Sequence, residues 1–347
     1  MDALRQYAKY LESMRCPLQT TTTTASTTTY STPTTTTATT AEAPNLEEDT
    51  VVLITGGNGI RTEVFLTSTE VYPPLPDCSP PSLPSPRYMH STVATTGPSP
   101  KVVTCGGVYS THYASCFVLD LEKKHWDKSM MGPLPQPRTS PAAVSMENIG
   151  TYLIGGNPSG TTDFLAEGST LWVAGPEIPV HVYTPCAVQI SKSSFMIIDE
   201  KDIREYEVDL TDPTSNSGWQ EATKWPQLQT RRANQPGCSK IGDQVVIGGG
   251  CGSEYLRSTQ VLNLSTRTIV DAGDFISPRG YFHMATITRN GKQTLFAFGG
   301  TDDGSSKLNS VEQFVTSNNT WALAPNMGRA RYRFGVVVVP RKLVCPT

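Results

Sequence analysis

Val51-Val52-Leu53-Ile54-Thr55-Gly56-Gly57 is a run of apolar and β-branched residues that ends in a glycine pair. The pattern returns as Val102-Val103-Thr104-Cys105-Gly106-Gly107, Tyr152-Leu153-Ile154-Gly155-Gly156, Val245-Val246-Ile247-Gly248-Gly249 and Leu295-Phe296-Ala297-Phe298-Gly299-Gly300. Successive copies lie about 50 residues apart, and the interval between the third and fourth is about twice that. Phe195-Met196-Ile197-Ile198-Asp199-Glu200 fills the long interval, with an acidic pair where the glycines should be, which makes six copies. A repeat of this length built mostly from strands implies a radial β-architecture rather than a helical solenoid.

The rest of each repeat reads as strand. After the glycines and a polar loop come Ser68-Thr69-Glu70-Val71-Tyr72, Cys116-Phe117-Val118-Leu119-Asp120, Glu205-Tyr206-Glu207-Val208-Asp209, Gln260-Val261-Leu262-Asn263 and Val311-Glu312-Gln313-Phe314. Their alternation of apolar and polar residues predicts strands with one better-buried face. A turn and often a tryptophan follow (Trp126, Trp219, Trp321), then a connector carrying Pro86-Arg87, Pro137-Arg138 or Pro278-Arg279. A small-residue strand such as His90-Ser91-Thr92-Val93-Ala94 leads to the next glycine pair, giving four strands per repeat. Glycine permits positive φ and close backbone approach. Tryptophan fills the wedge between twisted sheets while placing its N–H on a partner. One four-stranded sheet cannot bury both faces, so the repeats must pack around a ring.

The ordered recurrence of glycine pair, following strand, spaced tryptophan and Pro-Arg resembles the kelch repeat family, whose members form β-propellers. Arg87/His90 and Arg279/His283 fit the last element of its motif, and the resemblance covers roughly residues 51–340. The third repeat departs from it, with Trp172 close behind Ser169-Thr170-Leu171, and the fourth lacks the glycines. The first copy has no strand before it, whereas Phe334-Gly335-Val336-Val337-Val338-Val339 is a first strand with no repeat after it. The resemblance implies that this last strand completes the N-terminal blade, closing a six-bladed all-β ring without open edges.

Two segments are expected: residues 1–50, and a propeller over 51–347. Leu4, Tyr7, Ala8, Leu11 and Met14 have helical spacing, and residues 20–40 are nearly all Thr. Such a tract cannot bury a core and reads as a disordered, mucin-like stalk or a plain linker. The N-terminus lacks the apolar region of a signal peptide. A net charge of -3 gives no case for nucleic-acid binding. No apolar stretch approaches the ~20 residues of a membrane helix. A monomer is expected.

There are eight cysteines and no Cys/His spacing suited to zinc. Cys105 and Cys116 flank one loop on adjacent strands, and Cys238 and Cys251 lie on or near a first and second strand, so either pair is a disulfide candidate where geometry allows. Asn263-Leu264-Ser265 and Asn318-Asn319-Thr320 are N-glycosylation sequons at turns before a fourth strand. Stalk, sequons and cysteines favour an extracellular chain whose given start is truncated or misassigned, the alternative being cytoplasmic.

No HExxH, GxSxG or P-loop is present, so no catalytic residue, metal or cofactor is expected. His90 and His283 take the structural position that the resemblance implies, with His181 similarly placed, while His112 and His125 read as surface residues. Asp199-Glu200-Lys201-Asp202 reads as a solvated loop. The expected function is a non-catalytic scaffold for a protein or glycan partner. Two alternatives stand beside it: an intracellular kelch adaptor in ubiquitin ligation or actin binding, and a copper enzyme of the galactose oxidase kind. In kelch propellers two loop sets share one face. One follows the glycine pairs, with Arg61, Tyr109, His112, Tyr113, Phe164, Tyr255, Arg257 and Asp302 as partner-binding candidates. The other holds Arg87, Arg138, Arg231, Arg279 and Arg331, each either a partner contact or a structural hydrogen bond to a neighbouring blade.

Overall fold

The computed structural model describes residues 49–60 and 65–345; the expected N-terminal helix, the Thr-rich tract and Arg61 lie outside them. Six antiparallel sheets succeed one another. Counting strands outward from the ring axis, blade 2 is β3 (Tyr88–Ala94), β4 (Val102–Val108), β5 (Cys116–Asp120) and β6 (His125–Asp127). Blade 3 is β7 (Ala142–Met146), β8 (Gly150–Ile154), β9 (Thr162–Ala166) and β10 (Val173–Ala174). Blade 4 has β11 (Cys186–Gln189), β12 (Ser194–Asp199) and β13 (Asp202–Glu207). Blade 5 is β14 (Gly237–Ile241), β15 (Gln244–Gly248), β16 (Thr259–Asn263) and β17 (Thr268–Ala272). Blade 6 is β18 (His283–Arg289), β19 (Lys292–Phe298), β20 (Val311–Val315) and β21 (Thr320–Ala324).

Blade 1 joins the two ends of the chain. β22 (Gly335–Pro340) is its first strand and pairs with β1 (Thr50–Thr55), which pairs with β2 (Thr69–Tyr72). The register runs from Thr50 opposite Pro340 to Thr55 opposite Gly335, the closure expected of the last strand. The first strands β22, β3, β7, β11, β14 and β18 touch in that cyclic order and enclose a central channel of about 780 Å³.

Two blades have three strands rather than the expected four. In blade 1 the chain after β2 is Pro73-Pro74-Leu75-Pro76, and prolines cannot donate to a ladder. That segment instead straps the edge: Thr69 Oγ1 and Trp126 Nε1 donate to its Pro80 and Pro81 carbonyls, and Cys78 is bridged to Cys345. In blade 4 the fourth position is reduced to a single bridge between Tyr206 and Trp219.

The cores lie between blades. Trp126 of blade 2 packs with Val51, Leu53 and Val71 of blade 1, and Trp321 of blade 6 packs with Val246 and Val261 of blade 5. Four further clusters fill the other seams, so every sheet buries both faces as a ring requires.

The described cysteines are all disulfide-bonded. Cys105 and Cys116 face each other across β4 and β5 and are bridged. Cys238 pairs not with Cys251 but with Cys186, because first strands of adjacent blades run side by side and bring their Cα atoms to 5.9 Å. Cys251 is also disulfide-bonded.

Candidate functional site

Antiparallel order puts two sets of connections on one face of the ring: the loops between second and third strands, and those joining consecutive blades. The hairpin turns lie on the other. The first face is called here the mouth and the second the turn face.

The repeated arginines are buried in the wall of the mouth. Arg87, Arg138, Arg232, Arg279 and Arg331 are at most 1% exposed. Each sends Nη1 to the carbonyl that ends the second strand of its own blade: Gly106, Gly155, Gly249, Gly299 and Gly56, at 2.7–3.1 Å. Nη1 and Nη2 also hold the residue that opens the third strand, Ser115, Thr161, Ser258, Ser310 or Ser68. The planar fork of donors suits this task, because one guanidinium satisfies several carbonyls that would otherwise be buried without a partner.

The backbone of the same residues joins blades. The carbonyls of Arg87, Arg138, Arg279 and Arg331 accept from Gly57, Gly107, Gly250 and Gly300 of the preceding blade. The second glycine must approach closely: a Cβ on Gly57, whose φ is +95°, would lie 2.6 Å from the Phe334 Cβ. The structural alternative for the arginines therefore holds, with one refinement. The side chain bonds its own blade, and only the carbonyl bonds the neighbour.

Charge compensation differs among the five. Asp163, Glu312 and Glu70 face Arg138, Arg279 and Arg331 from the third strand. Arg87 has Tyr113 and Phe117 instead, their ring centres 4.6 and 4.5 Å from its guanidinium carbon. Burial pushes Arg87 and Arg232 down to about 10, at Arg232 against the opposing charges of Asp271 and Asp274.

Four candidate residues change role. Arg87, Arg138, Arg279 and Arg331 are wall residues with no surface to offer a partner. Arg231 is a fifth correction: the wall position is Arg232, one residue on, while Arg231 is exposed and ion-paired with Glu200. The same one-residue shift moves the working glycine pair of blade 5 to Gly249 and Gly250, since Gly248 still belongs to β15. Phe164 is on β9, not in a loop, and lies in the core with Tyr152 and Phe195. Tyr113 is committed to covering Arg87.

Blade 4 breaks the rule. Val182 takes the arginine position, its carbonyl accepting from Gly156. Glu200 adopts φ +53° where other blades have glycine. Asp199 is not part of a solvated loop but ends β12 opposite Asp202. Burial and then Glu200 push its carboxyl up to about 7.

A second ring lies just above the arginines. Met89, Ser140, Asn234, Tyr281 and Arg333 each follow a wall arginine by two residues and have φ between +52° and +59°. Ser140 N–H donates to Met89 O, Met89 to Arg333, Arg333 to Tyr281 and Tyr281 to Asn234, at 2.7–3.0 Å. This chain of bonds links blades 5, 6, 1, 2 and 3 and omits blade 4.

Aromatic side chains gather on that ring. Phe65 stacks on Tyr88 at 5.0 Å and meets Tyr109 edge-on at 5.3 Å. Tyr281 meets Tyr332 at 6.0 Å. Arg333 lies over Tyr281 and Tyr332, and Lys307 over Tyr332 at 4.4 Å. Tyr109 is 46% exposed, and Ile60 beside this group in the chain is 58% exposed. Tyr255 is half-buried against Gly280, and burial raises its phenol. Of the remaining candidates, His112 and Arg257 are exposed on mouth loops, Arg257 donating to the Phe275 carbonyl, while Asp302 is half-buried with Oδ1 enclosed. Phe65, Tyr88, Tyr281, Tyr332, Lys307 and Arg333 were not among the candidates. The signal for four of them was position, one or two places after an arginine (Tyr88, Tyr281, Tyr332 and Arg333).

Among the described residues no group of three or more His, Cys, Asp or Glu side chains is placed to hold a metal ion. His90 is enclosed, with Nε2 2.8 Å from Thr55 Oγ1. His283 holds the Phe334 carbonyl at 2.8 Å. His181 contacts Ser159 on the surface.

A family model described as "Kelch motif" matches residues 291–328, which span the whole of β19, β20 and β21 and the loops between them. Over 133 residues, 38% of this chain, the sequence is 26% identical to "Kelch repeat-containing protein kel-10" of Caenorhabditis elegans. The match spans 23% of that relative's length. The matched motif covers the glycine pair of blade 6 together with the Ser310 and Glu312 that Arg279 holds, and the same arrangement returns around the ring. The motif matched in blade 6 and the six-bladed ring together show a β-propeller of the kelch type.

Proposed function

We propose that the chain is a non-catalytic, extracellular scaffold that binds a protein partner at the mouth, over the aromatic group of blades 1, 2 and 6. The observation that carries this reading is the contrast within the mouth. The arginines are consumed by the wall, whereas Ile60 and Tyr109 stay open to solvent beside half-buried Phe65, Tyr88 and Tyr332. Aromatic residues rimmed by cations at the centre of a rigid face are the composition of binding hot spots. Rigidity supports it as well, because a preorganised surface loses little entropy on binding.

The disulfides support the extracellular part. No described cysteine remains a thiol, and such bonds are rare in reducing compartments. Alkylation and peptide mapping of freshly isolated native protein test it. Free thiols at Cys105 and Cys116 would count against it.

The binding reading is tested by capturing partners from extracellular material of the source with the immobilised full chain. Tyr109→Ala and Tyr332→Ala should cut capture at least tenfold, an effect of about 1.4 kcal/mol or more. Lys292→Ala on the turn face should not. Equal loss in all three variants, or none in the mouth variants, would sink this assignment. Loss of capture after the partner is deglycosylated would move recognition from protein to glycan.

A further inference from the structure

The turn face carries both sequons, each at the hairpin between a third and a fourth strand, yet their surroundings differ. Asn263 is the last residue of β16, half-buried, and in register with Gln244 on one side and Thr268 on the other. Its Oδ1 accepts from the Thr266 N–H at 2.8 Å, capping its own turn. Leu264 packs into the core between blades 4 and 5. The Ser265 hydroxyl donates to Asp243 Oδ2. The Asn263 Oδ1, the Leu264 side chain and the sequon hydroxyl are thus all engaged once the hairpin forms.

Asn318 lies beyond the end of β20, in the turn before β21, and residues 316–318 are exposed. Its only side-chain hydrogen bond among the described residues is internal to the sequon: Thr320 Oγ1 donates to Asn318 Oδ1 at 2.7 Å. The amide Nδ2 and the sequon hydroxyl are thus side by side on an open turn, on the face away from the aromatic mouth. Nothing in blade 6 has to come apart to reach them.

We infer that Asn318 is an acceptor for an N-linked glycan and that Asn263 is not. The inference rests on the extracellular reading above. In the transfer, Asn318 Nδ2 forms a bond to the anomeric carbon of an oligosaccharide carried on a lipid diphosphate. The anomeric C–O bond breaks, the lipid diphosphate leaves with its electron pair, and the amide gives one proton to a base of the transferase. A glycan there shields the turn face and leaves the mouth uncovered.

The test uses the full chain behind a heterologous secretion signal in a glycosylating eukaryotic host. Treatment with an N-glycosidase in heavy-oxygen water, followed by peptide mass spectrometry, should mark residue 318 and leave residue 263 as unmodified Asn. Asn318→Gln and Thr320→Val should each abolish the glycosidase-sensitive gel shift, and Asn263→Gln should leave it unchanged. An unglycosylated Asn318 in secreted, disulfide-bonded protein would overturn the inference, as would a glycan at Asn263 of comparable occupancy. The signal carries the chain into the compartment whatever its native address, so failure here is distinct from failure of the extracellular reading, which the thiol mapping of native protein decides.

Discussion

Arg331 Nη1 donates to the Gly56 carbonyl at 2.7 Å across 275 positions of sequence. The bond belongs to blade 1, whose first strand comes from one end of the described chain and whose second and third come from the other. Arg331 also reaches Ser68 and Glu70. Ring closure is therefore made twice, by the β22–β1 ladder and by one buried side chain. Cys78–Cys345 adds a covalent tie with a sequence separation of 267.

Deleting residues 334–347 removes β22 and this tie together. The deletion should leave β1 and β3 without their neighbour and expose two apolar faces, because Val339 and Phe334 are buried in seams on opposite sides. We expect a soluble yield near zero, or aggregates by light scattering. A monomer that melts with the full chain would refute closure as a source of stability.

Much of this ring was legible because its parts repeat. The glycine strands, the third strands and the closing strand stand where their periodicity put them. Side-chain roles were less legible. Arg231 and Arg232 are adjacent, and only the backbone decides which points into the wall. Phe164 reads as a loop aromatic until Thr162–Ala166 is seen to be a strand. Cys186 and Cys238 are 52 residues apart and meet only because first strands of successive blades lie side by side. The aromatic mouth was legible only in part: Tyr109 was expected on that face, whereas Phe65, Tyr88, Tyr281 and Tyr332 come from several blades and meet only in the folded ring.

Arg279 and Glu312 are both fully buried and bonded at 2.8 Å. Glu312 also accepts from the Ile276 and Ser277 N–H groups. Arg279→Ala should cost about 3–5 kcal/mol, since it strands a buried carboxylate and two carbonyls. Arg279→Lys should recover little, because an ammonium cannot span Gly299 O, Ser310 and Glu312 at once. Glu312→Gln in the Ala background should restore part of the loss. Denaturant melts of wild type, these three variants and Glu312→Gln alone check this; additive costs of the two single changes in the double variant would mean that the pair is not coupled.

Cys186–Cys238 crosses the seam between blades 4 and 5, where the mouth's backbone ring is interrupted and blade 4 has Val182 in the arginine position. The bridge stands in for those bonds. Replacing both cysteines by Ser should speed hydrogen exchange in β11 and β14 before other first strands respond. Loop entropy makes this bridge worth roughly 1 kcal/mol more than Cys105–Cys116, which closes a loop with a separation of only 11. A larger loss of melting temperature from the Cys105/Cys116 double variant would argue against the clasp.

His90 sets an acid limit on the fold. It is 4% exposed, Nε2 meets Thr55 Oγ1, and Nδ1 has no hydrogen-bond partner among the described residues. Burial, then Arg87 and His283, push its pKa down to about 3. His283, which opens partly onto the channel, falls to about 4 through burial. A histidine depressed in the folded state keeps its full contribution above the unfolded value of about 6.5 and loses it as pH falls toward the folded value. Between pH 6.5 and 4.5 His90 alone should remove on the order of 2 kcal/mol. Asp199 acts in the opposite sense, since its carboxyl is raised to about 7 and proton uptake there favours the fold. By the same linkage Asp199 returns about as much over this window as His90 removes. Relative to wild type, melting temperature should therefore fall more steeply from pH 6.5 to 4.5 in Asp199→Asn, and fall less or rise in His90→Gln. A wild-type curve flat across that window, together with a His90→Gln curve of the same slope, would show that His90 is not held neutral by the fold.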